Sequence, residues 1–144
     1  MSDSAPYFID ANVSMYAAGA DHPLKAPCLA ILDMIARGQL NAVTDAEVTQ
    51  EIMHRYTSLG QRQRGIEVSQ LFLRIVPVIL PLRREDIETT LDIHARHSHL
   101  QARDSVHAAV MLGHHIACII SADRHFDNLP GIERRDPSEW ATRR

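Results

Sequence analysis

Short apolar runs alternate along this chain with longer stretches in which apolar positions recur every three or four residues. Tyr7-Phe8-Ile9 is the first run, and it stops at Asp10. Pro23 to Arg37 reads as a helix with Leu29, Leu32 and Ile35 on one stripe and Gly38 as its stop. Asn41-Ala-Val43 is a short strand candidate. The Thr44-Asp-Ala-Glu47 that follows has the form of a capping box, with Thr44 capping and Glu47 reaching back. The helix opened there carries Val48, Ile52 and Tyr56 at i, i+4 spacing. A further helix is predicted over Arg62 to Leu73, beyond the turn at Gly60, and a short strand at Val78-Ile-Leu80, between Pro77 and Pro81. Arg84 to Arg96 is predicted helical, with Ile87, Leu91 and Ala95 on one face. Asp104 to His114 is another helix, with Val106, Ala109, Val110 and Gly113 inward. Ala117-Cys-Ile-Ile120 is continuously apolar, as in a strand buried on both sheet faces, and Ile132 marks the start of a last short strand.

Strands separated by helices of about ten residues or more require right-handed crossovers, and these build a parallel sheet. The predicted class is therefore α/β, a three-layer α/β/α arrangement around a central parallel, Rossmann-like sheet. No internal repeat, low-complexity tract or dividing linker is present, and 144 residues with 45% hydrophobic content fit one core, so positions 1–144 read as a single domain.

Composition adds exclusions more than assignments. No run approaches the roughly 18 apolar residues of a membrane helix, so no membrane association is expected. Met1-Ser-Asp-Ser-Ala-Pro6 has neither the basic start nor the apolar stretch of a secretory signal, and a cytoplasmic location is the expectation. Cys28 and Cys118 each sit in apolar surroundings and read as buried thiols, not as a disulfide. The net charge of −3 is not the basic footprint of a nucleic-acid binder. Yet Lys25 is the only lysine, and arginines, better suited to bidentate phosphate contact, are grouped at Arg62 and Arg64, Arg83-Arg84, Arg134-Arg135 and Arg143-Arg144. Any such pair serves equally as a solvated face, so charge neither supports nor excludes RNA.

The candidate chemistry lies in carboxylates. In an open parallel sheet, ligands bind beyond the carboxyl ends of the strands. Asp10 ends the first apolar run, and Asp123 follows Ile119-Ile120-Ser121-Ala122, so the two converge if both strands are central. Glu51 borders the apolar stripe of its helix, about 60° from Val48 at 100° per residue. Asp104 falls in the first turn of its helix, where the partial positive charge favours an acid. Each has an ordinary explanation as well: a turn former, an amphipathic edge residue, a helix-start acid. The case rests on the set.

Four segments give that set a context: Phe8-Ile-Asp10-Ala-Asn12, Val43 through Glu51-Ile52, Ala102-Arg-Asp104-Ser-Val-His107-Ala-Ala, and Ile120-Ser-Ala-Asp123-Arg-His-Phe126-Asp127. In this order, with Leu129-Pro-Gly-Ile132 and Asp136-Pro137 closing the pattern, the chain resembles the PIN-domain family, in particular the VapC-type toxins of toxin–antitoxin pairs. Any one motif is weak, but four in register over nearly the whole chain are specific. The resemblance implies an acidic cluster at the carboxyl edge of the sheet made of Asp10, Glu51, Asp104 and Asp123, with Asn12 and Ser121 supporting it. Asp127 matches a further acid that only some members carry. It also implies an RNA endonuclease acting on tRNA, rRNA or mRNA, a homodimer, and a small antitoxin whose C-terminal segment covers the cleft.

Four neighbouring carboxylates repel one another until a cation relieves them, and an all-oxygen set favours Mg²⁺ or Mn²⁺ over zinc. Asp10, Asp104 and Asp123 are expected to hold the metal directly or through water, with Glu51 completing the site. Hydrolysis by metal-activated water would leave a 5′-phosphate and a 3′-hydroxyl. Other motifs lead nowhere. His94-Ala-Arg-His97-Ser-His99 has no cysteine beside it and does not read as a zinc site. His107 reads as a packing or hydrogen-bonding residue at the edge of the site. No Gly-x-Ser-x-Gly, Gly-x-Gly-x-x-Gly or Walker pattern occurs. Three function classes stay open: a ribonuclease toxin, a PIN nuclease of RNA processing, and a catalytically silent RNA- or protein-binding module, the last disfavoured by the intact acids.

Overall fold

A computed structural model describes residues 5–141, so the Arg143-Arg144 pair and the first residues of the N-terminus lie outside the described residues. The elements are β1 (Tyr7–Ile9), α1 (Ala11–Ala18), α2 (Lys25–Ala36), β2 (Ala42–Asp45), α3 (Ala46–Ser58), α4 (Arg62–Ile75), β3 (Val78–Leu80), α5 (Arg84–Arg96), α6 (Ala102–Gly113), β4 (Cys118–Ile120) and β5 (Glu133–Arg135). All strand pairs are parallel, in the order β3-β2-β1-β4-β5. This is the α/β architecture predicted, with β1 at the centre and the chain leaving it toward β2 on one side and β4 on the other.

The strands most buried are those with apolar side chains on both faces: Phe8, Ile9, Ile119 and Ile120 are fully inaccessible. They join Val13, Ile31, Val48, Ile52, Phe72, Met111, Phe126 and Trp140 in one core. Helix α4 closes on α3 at Gly65, where a Cβ would meet the Tyr56 Cβ at 2.7 Å. Only a residue without a side chain fits that crossing.

One helix goes beyond the sequence expectations, and four local expectations, on α3, α2, α5 and α6, are corrected. Helix α1 was not legible from periodicity; it is eight residues long and is opened by Asp10, whose Oδ1 accepts from the Ala11 N–H at 2.8 Å. The cap of α3 is Asp45, not Thr44: β2 runs on to Asp45, so Thr44 is buried in the sheet and donates to the Ile9 carbonyl at 2.9 Å, while Asp45 accepts from Val48 N at 3.1 Å. On α2 the buried stripe is Cys28, Ile31, Leu32 and Ile35, which leaves Leu29 in solvent. On α5 the buried face is Asp86, Thr90 and Ile93, and Ile87 and Leu91 are 42% and 66% exposed. The polar pair is tolerated inside because it is satisfied locally: Asp86 accepts from the Arg83 backbone and guanidinium, and Thr90 donates to the Asp86 carbonyl. Helix α6 is buried nearly all round from Asp104 to Met111, although Gly113 is exposed.

Candidate metal centre

Strand register builds the centre. Ile9 pairs with Ile120, so the next residues, Asp10 and Ser121, stand side by side at the carboxyl ends of β1 and β4. The Ser121 hydroxyl donates to Asp10 Oδ2 at 2.6 Å. Asn12, in the first turn of α1, donates from Nδ2 to Asp10 Oδ2 at 3.3 Å and to Ser121 Oγ at 3.0 Å, and its Oδ1 accepts from Ala122 N at 3.2 Å. Ser121 Oγ in turn accepts from Asp123 N at 2.9 Å, which ties the loop carrying Asp123 to Asp10. Asn12 and Ser121 thus fix the first acid and the last one relative to each other.

The carboxylates fall into two groups. Ligand atoms of Asp10, Glu51 and His107 lie within 4.8 Å of one another, and so do those of Asp104, Asp123 and His125. Glu51 of the first group and Asp123 of the second line a cleft of about 540 Å³, together with Asn12 and Arg103 among others. Three of the four acids are caps: Asp10 opens α1, Asp104 accepts from Gln101 N at 3.0 Å in a capping box on α6, and Asp123 accepts from His125 N at 2.9 Å at a 3₁₀ turn, Arg124–Phe126. The ordinary role of each acid and its place in the cluster are the same geometry.

His107 proves more central than its pattern indicated. It is fully buried, with Nδ1 at 2.8 Å from Asp45 Oδ2 and Nε2 at 3.3 Å from Glu51 Oε1 and 3.8 Å from Asp10 Oδ1. Burial alone would lower its pKa, but the charge and hydrogen bond of Asp45, the bond to Glu51 and the charge of Asp10 hold it well above its ordinary value. Asp45 on one ring nitrogen and Glu51 on the other both favour the protonated ring. Asp10 moves the other way from an ordinary carboxylate: burial, with Glu51 adding to it, raises it from 3.8 to about 6 against the opposing pull of His107 and Ser121.

Two further residues were missed by the sequence reading. Arg103 Nε lies 3.1 Å from Glu51 Oε2, and His125 Nδ1 lies 3.0 Å from Asp104 Oδ2 and 3.2 Å from Asp123 Oδ1. Their only signal was nearness to an acid in the chain, Arg103 beside Asp104 and His125 two residues from both Asp123 and Asp127. Asp127 is not drawn into either group; it pairs with Arg134 at 2.7 Å, and that hydrogen bond holds its carboxyl below the usual range. Arg134 also reaches Asp136 and the Ser121 carbonyl, at 3.0 and 2.9 Å. In the His94–His99 stretch, His94 bonds to Ser105 and His99 to the His125 carbonyl. Cys28 and Cys118 are free thiols, the first buried and the second partly so.

The donor set suits a divalent cation. A buried carboxylate with a raised pKa beside a second carboxylate is a site short of positive charge, and oxygen donors match hard cations. Asp10 and Glu51 with His107 form one group that could hold a metal ion, and Asp104 and Asp123 with His125 form another.

Comparison with known proteins agrees with this geometry. The PIN domain model matches residues 7–132. The chain is 40% identical over 126 residues to VapC ribonuclease Mb1869c of Mycobacterium bovis, covering 88% of this chain and 96% of that protein. It is 36% identical over 102 residues to Ribonuclease VapC23 of Mycobacterium tuberculosis, covering 71% and 80%. Among solved structures, VapBC2 from Rickettsia felis bound to a promoter DNA fragment superposes with a TM-score of 0.70 at 12% identity, covering 90% of this chain and 97% of that one. DNA-bound VapBC from Salmonella typhimurium gives 0.70 at 14% identity, covering 93% and 99%. The chain belongs to the PIN-domain family.

Proposed function

We propose that this protein is a Mg²⁺- or Mn²⁺-dependent endoribonuclease, the toxin of a VapBC-like pair, and that positions 1–144 form one such domain. The observation that carries the reading is the hydrogen-bonded bridge from Asp10 through Ser121 and Asn12 to the Asp123 loop, beside Glu51 and Asp104. It ties the acids that follow the two central strands to one another, which supports a shared site. The names of the curated relatives, ribonucleases of the VapC kind, support the same chemistry.

Asp10, Asp104 and Asp123 would hold the cation, directly or through water, and Glu51 would complete the site by positioning the attacking water. When bound, the metal ion supplies Lewis-acid chemistry, neutralising phosphate charge and making water more acidic. Ser121 and Asn12 keep Asp10 aimed into the cleft. His107 holds Glu51 from the side away from solvent, and Asp45 fixes the His107 ring. Asp127 stays with Arg134.

A cytoplasmic location, a homodimer and a small antitoxin partner belong to the same reading. Among the described residues no helix is long and apolar enough to cross a membrane. Apolar side chains left in solvent, Leu29 and Leu71 beside a groove between α2 and α4 and Ile87 and Leu91 on α5, supply surface for protein partners.

The direct test is cleavage of labelled RNA by the purified chain in Mg²⁺ or Mn²⁺, with mapping of the ends. A 5′-phosphate and a 3′-hydroxyl are expected, and a 2′,3′-cyclic phosphate overturns the mechanism. Growth arrest on expression, abolished by Asp10→Asn, separates a toxin from an RNA-processing nuclease.

A further inference from the structure

The cleft extends past the acids along two helices, and each adds one side chain a turn further on. On α1, Tyr16 follows Asn12 at i+4; on α3, Arg55 follows Glu51 at i+4. Positions four apart share a face and are separated by about 5.4 Å along the axis. Tyr16 and Arg55 line the same cleft as Asn12, Glu51 and Asp123, together with His22 and Arg103. The Tyr16 and His22 rings stack with centroids 4.6 Å apart and planes inclined by 36°.

This wall is held in place before any ligand arrives. His22 Nδ1 accepts from Leu24 N at 3.0 Å, which orients the ring and leaves its proton on Nε2. The segment after α1 is pinned at both sides: Lys25 Nζ donates to the Gly19 carbonyl at 2.6 Å and Arg64 to the Ala18 carbonyl at 2.8 Å. The sole lysine is thus used to fix the loop that carries His22. Opposite stands the Arg103–Glu51 pair, with the Arg103 side chain 44% exposed. The Glu51 side chain is only 18% exposed, so the pair is half open, and the accessible guanidinium can grip a phosphate with two parallel bonds.

The cleft lining carries Asp21, Glu51 and Asp123 against Arg55 and Arg103. A polyanion entering it meets net negative charge except at the two guanidiniums. An aromatic pair receives a base only if the base is unstacked from its neighbours. Resting on the nuclease reading above, we propose that Tyr16, His22, Arg55 and Arg103 form a nucleotide subsite for single-stranded RNA next to the scissile bond, the ring pair stacking one base and the arginines holding the flanking phosphates.

The test uses the full chain and a fluorescent single-stranded oligoribonucleotide, with an abasic strand of the same length as control. Anisotropy is read in EDTA, and kcat and KM in Mg²⁺. Tyr16→Leu is expected to weaken RNA binding on the order of tenfold and to raise KM, with no effect on the abasic strand, and Tyr16→Phe to restore binding. Arg55→Gln is expected to weaken both strands alike and to lower the salt slope of binding by about one. If wild type cleaves RNA while Tyr16→Leu and Arg55→Gln bind and cleave like wild type, the subsite is wrong and the nuclease reading survives. If wild type neither binds nor cleaves, both fall.

Discussion

His107 Nδ1 and Asp45 Oδ2 lie 2.8 Å apart in the interior, although 62 positions separate them in the chain. Asp45 uses its other oxygen to cap α3, so one carboxylate anchors a helix and a charged ring together. Removing it takes away the closest counter-charge of a buried ring and the cap of α3 together. Asp45→Ala is expected to cost about 3–5 kcal/mol, measured by urea denaturation. A loss below about 1 kcal/mol would show that the pair is not structural.

The same ring gives stability a pH dependence. The folded pKa of His107 is raised above its unfolded value, so its contribution is complete below about 6.5 and is lost as pH rises through the higher folded value. Denaturation midpoints in EDTA should therefore fall on the alkaline side of neutrality. His107→Gln should flatten that slope, and an unchanged slope in the variant would contradict the assignment.

Asp10 works in the opposite sense to a salt-bridged acid. Its pKa is raised from 3.8 to about 6, so the folded state binds the extra proton between those values. The destabilisation is absent below about pH 4 and complete above about pH 6, and a shift of this size corresponds to about 3 kcal/mol. Asp10→Asn should abolish cleavage and yet stabilise the metal-free protein at pH 7.5, by on the order of 1–3 kcal/mol. The gain should vanish near pH 4. A variant less stable than wild type at pH 7.5 would refute this.

Metal binding should be coupled to the same proton. Mg²⁺ or Mn²⁺ needs Asp10 ionised, so calorimetric affinity should drop as pH falls through about 6, with proton uptake by the buffer on binding. At a hundred times Kd the metal should add about 2.7 kcal/mol of stability to wild type and far less to Asp10→Asn. Equal stabilisation of both proteins would place the ion elsewhere.

Asp127 and Arg134 distinguish ligand from scaffold. Because Asp127 is committed to Arg134, Asp127→Asn should retain cleavage within a few-fold, whereas Asp104→Asn should lose it. Arg134→Ala should cost about 1–3 kcal/mol, since it also frees Asp136 and the Ser121 carbonyl. A metal-binding defect in Asp127→Asn would bring that acid into the site.

Much of the architecture could be read from periodicity. The bounds Arg84–Arg96 and Val78–Leu80 and the buried stripe Val48, Ile52, Tyr56 all agree with the pattern. The misses have separate causes. Helix α1 is too short to show a period, Thr44 was read one position away from the true cap, and Ile87 and Leu91 face water because Asp86 and Thr90 satisfy themselves inside. At the site, Asp10, Asp104 and Asp123 stood out because each ends a strand or starts a helix, and Glu51, inside α3, because it borders the apolar stripe. Arg103 and His125 did not, because a residue near an acid in the chain need not face it in space.

Element type and the positions of the acids at element ends are decided locally, over one or two turns of chain, and the sequence by itself determined them. Which acids meet was decided only by the tertiary structure. Asp10 touches Ser121 across 111 positions because β1 and β4 pair with Ile9 opposite Ile120, and His107 reaches Asp45 and Glu51 because α6 packs its whole circumference. Register and helix packing are set by the whole core at once, and no local window contains them.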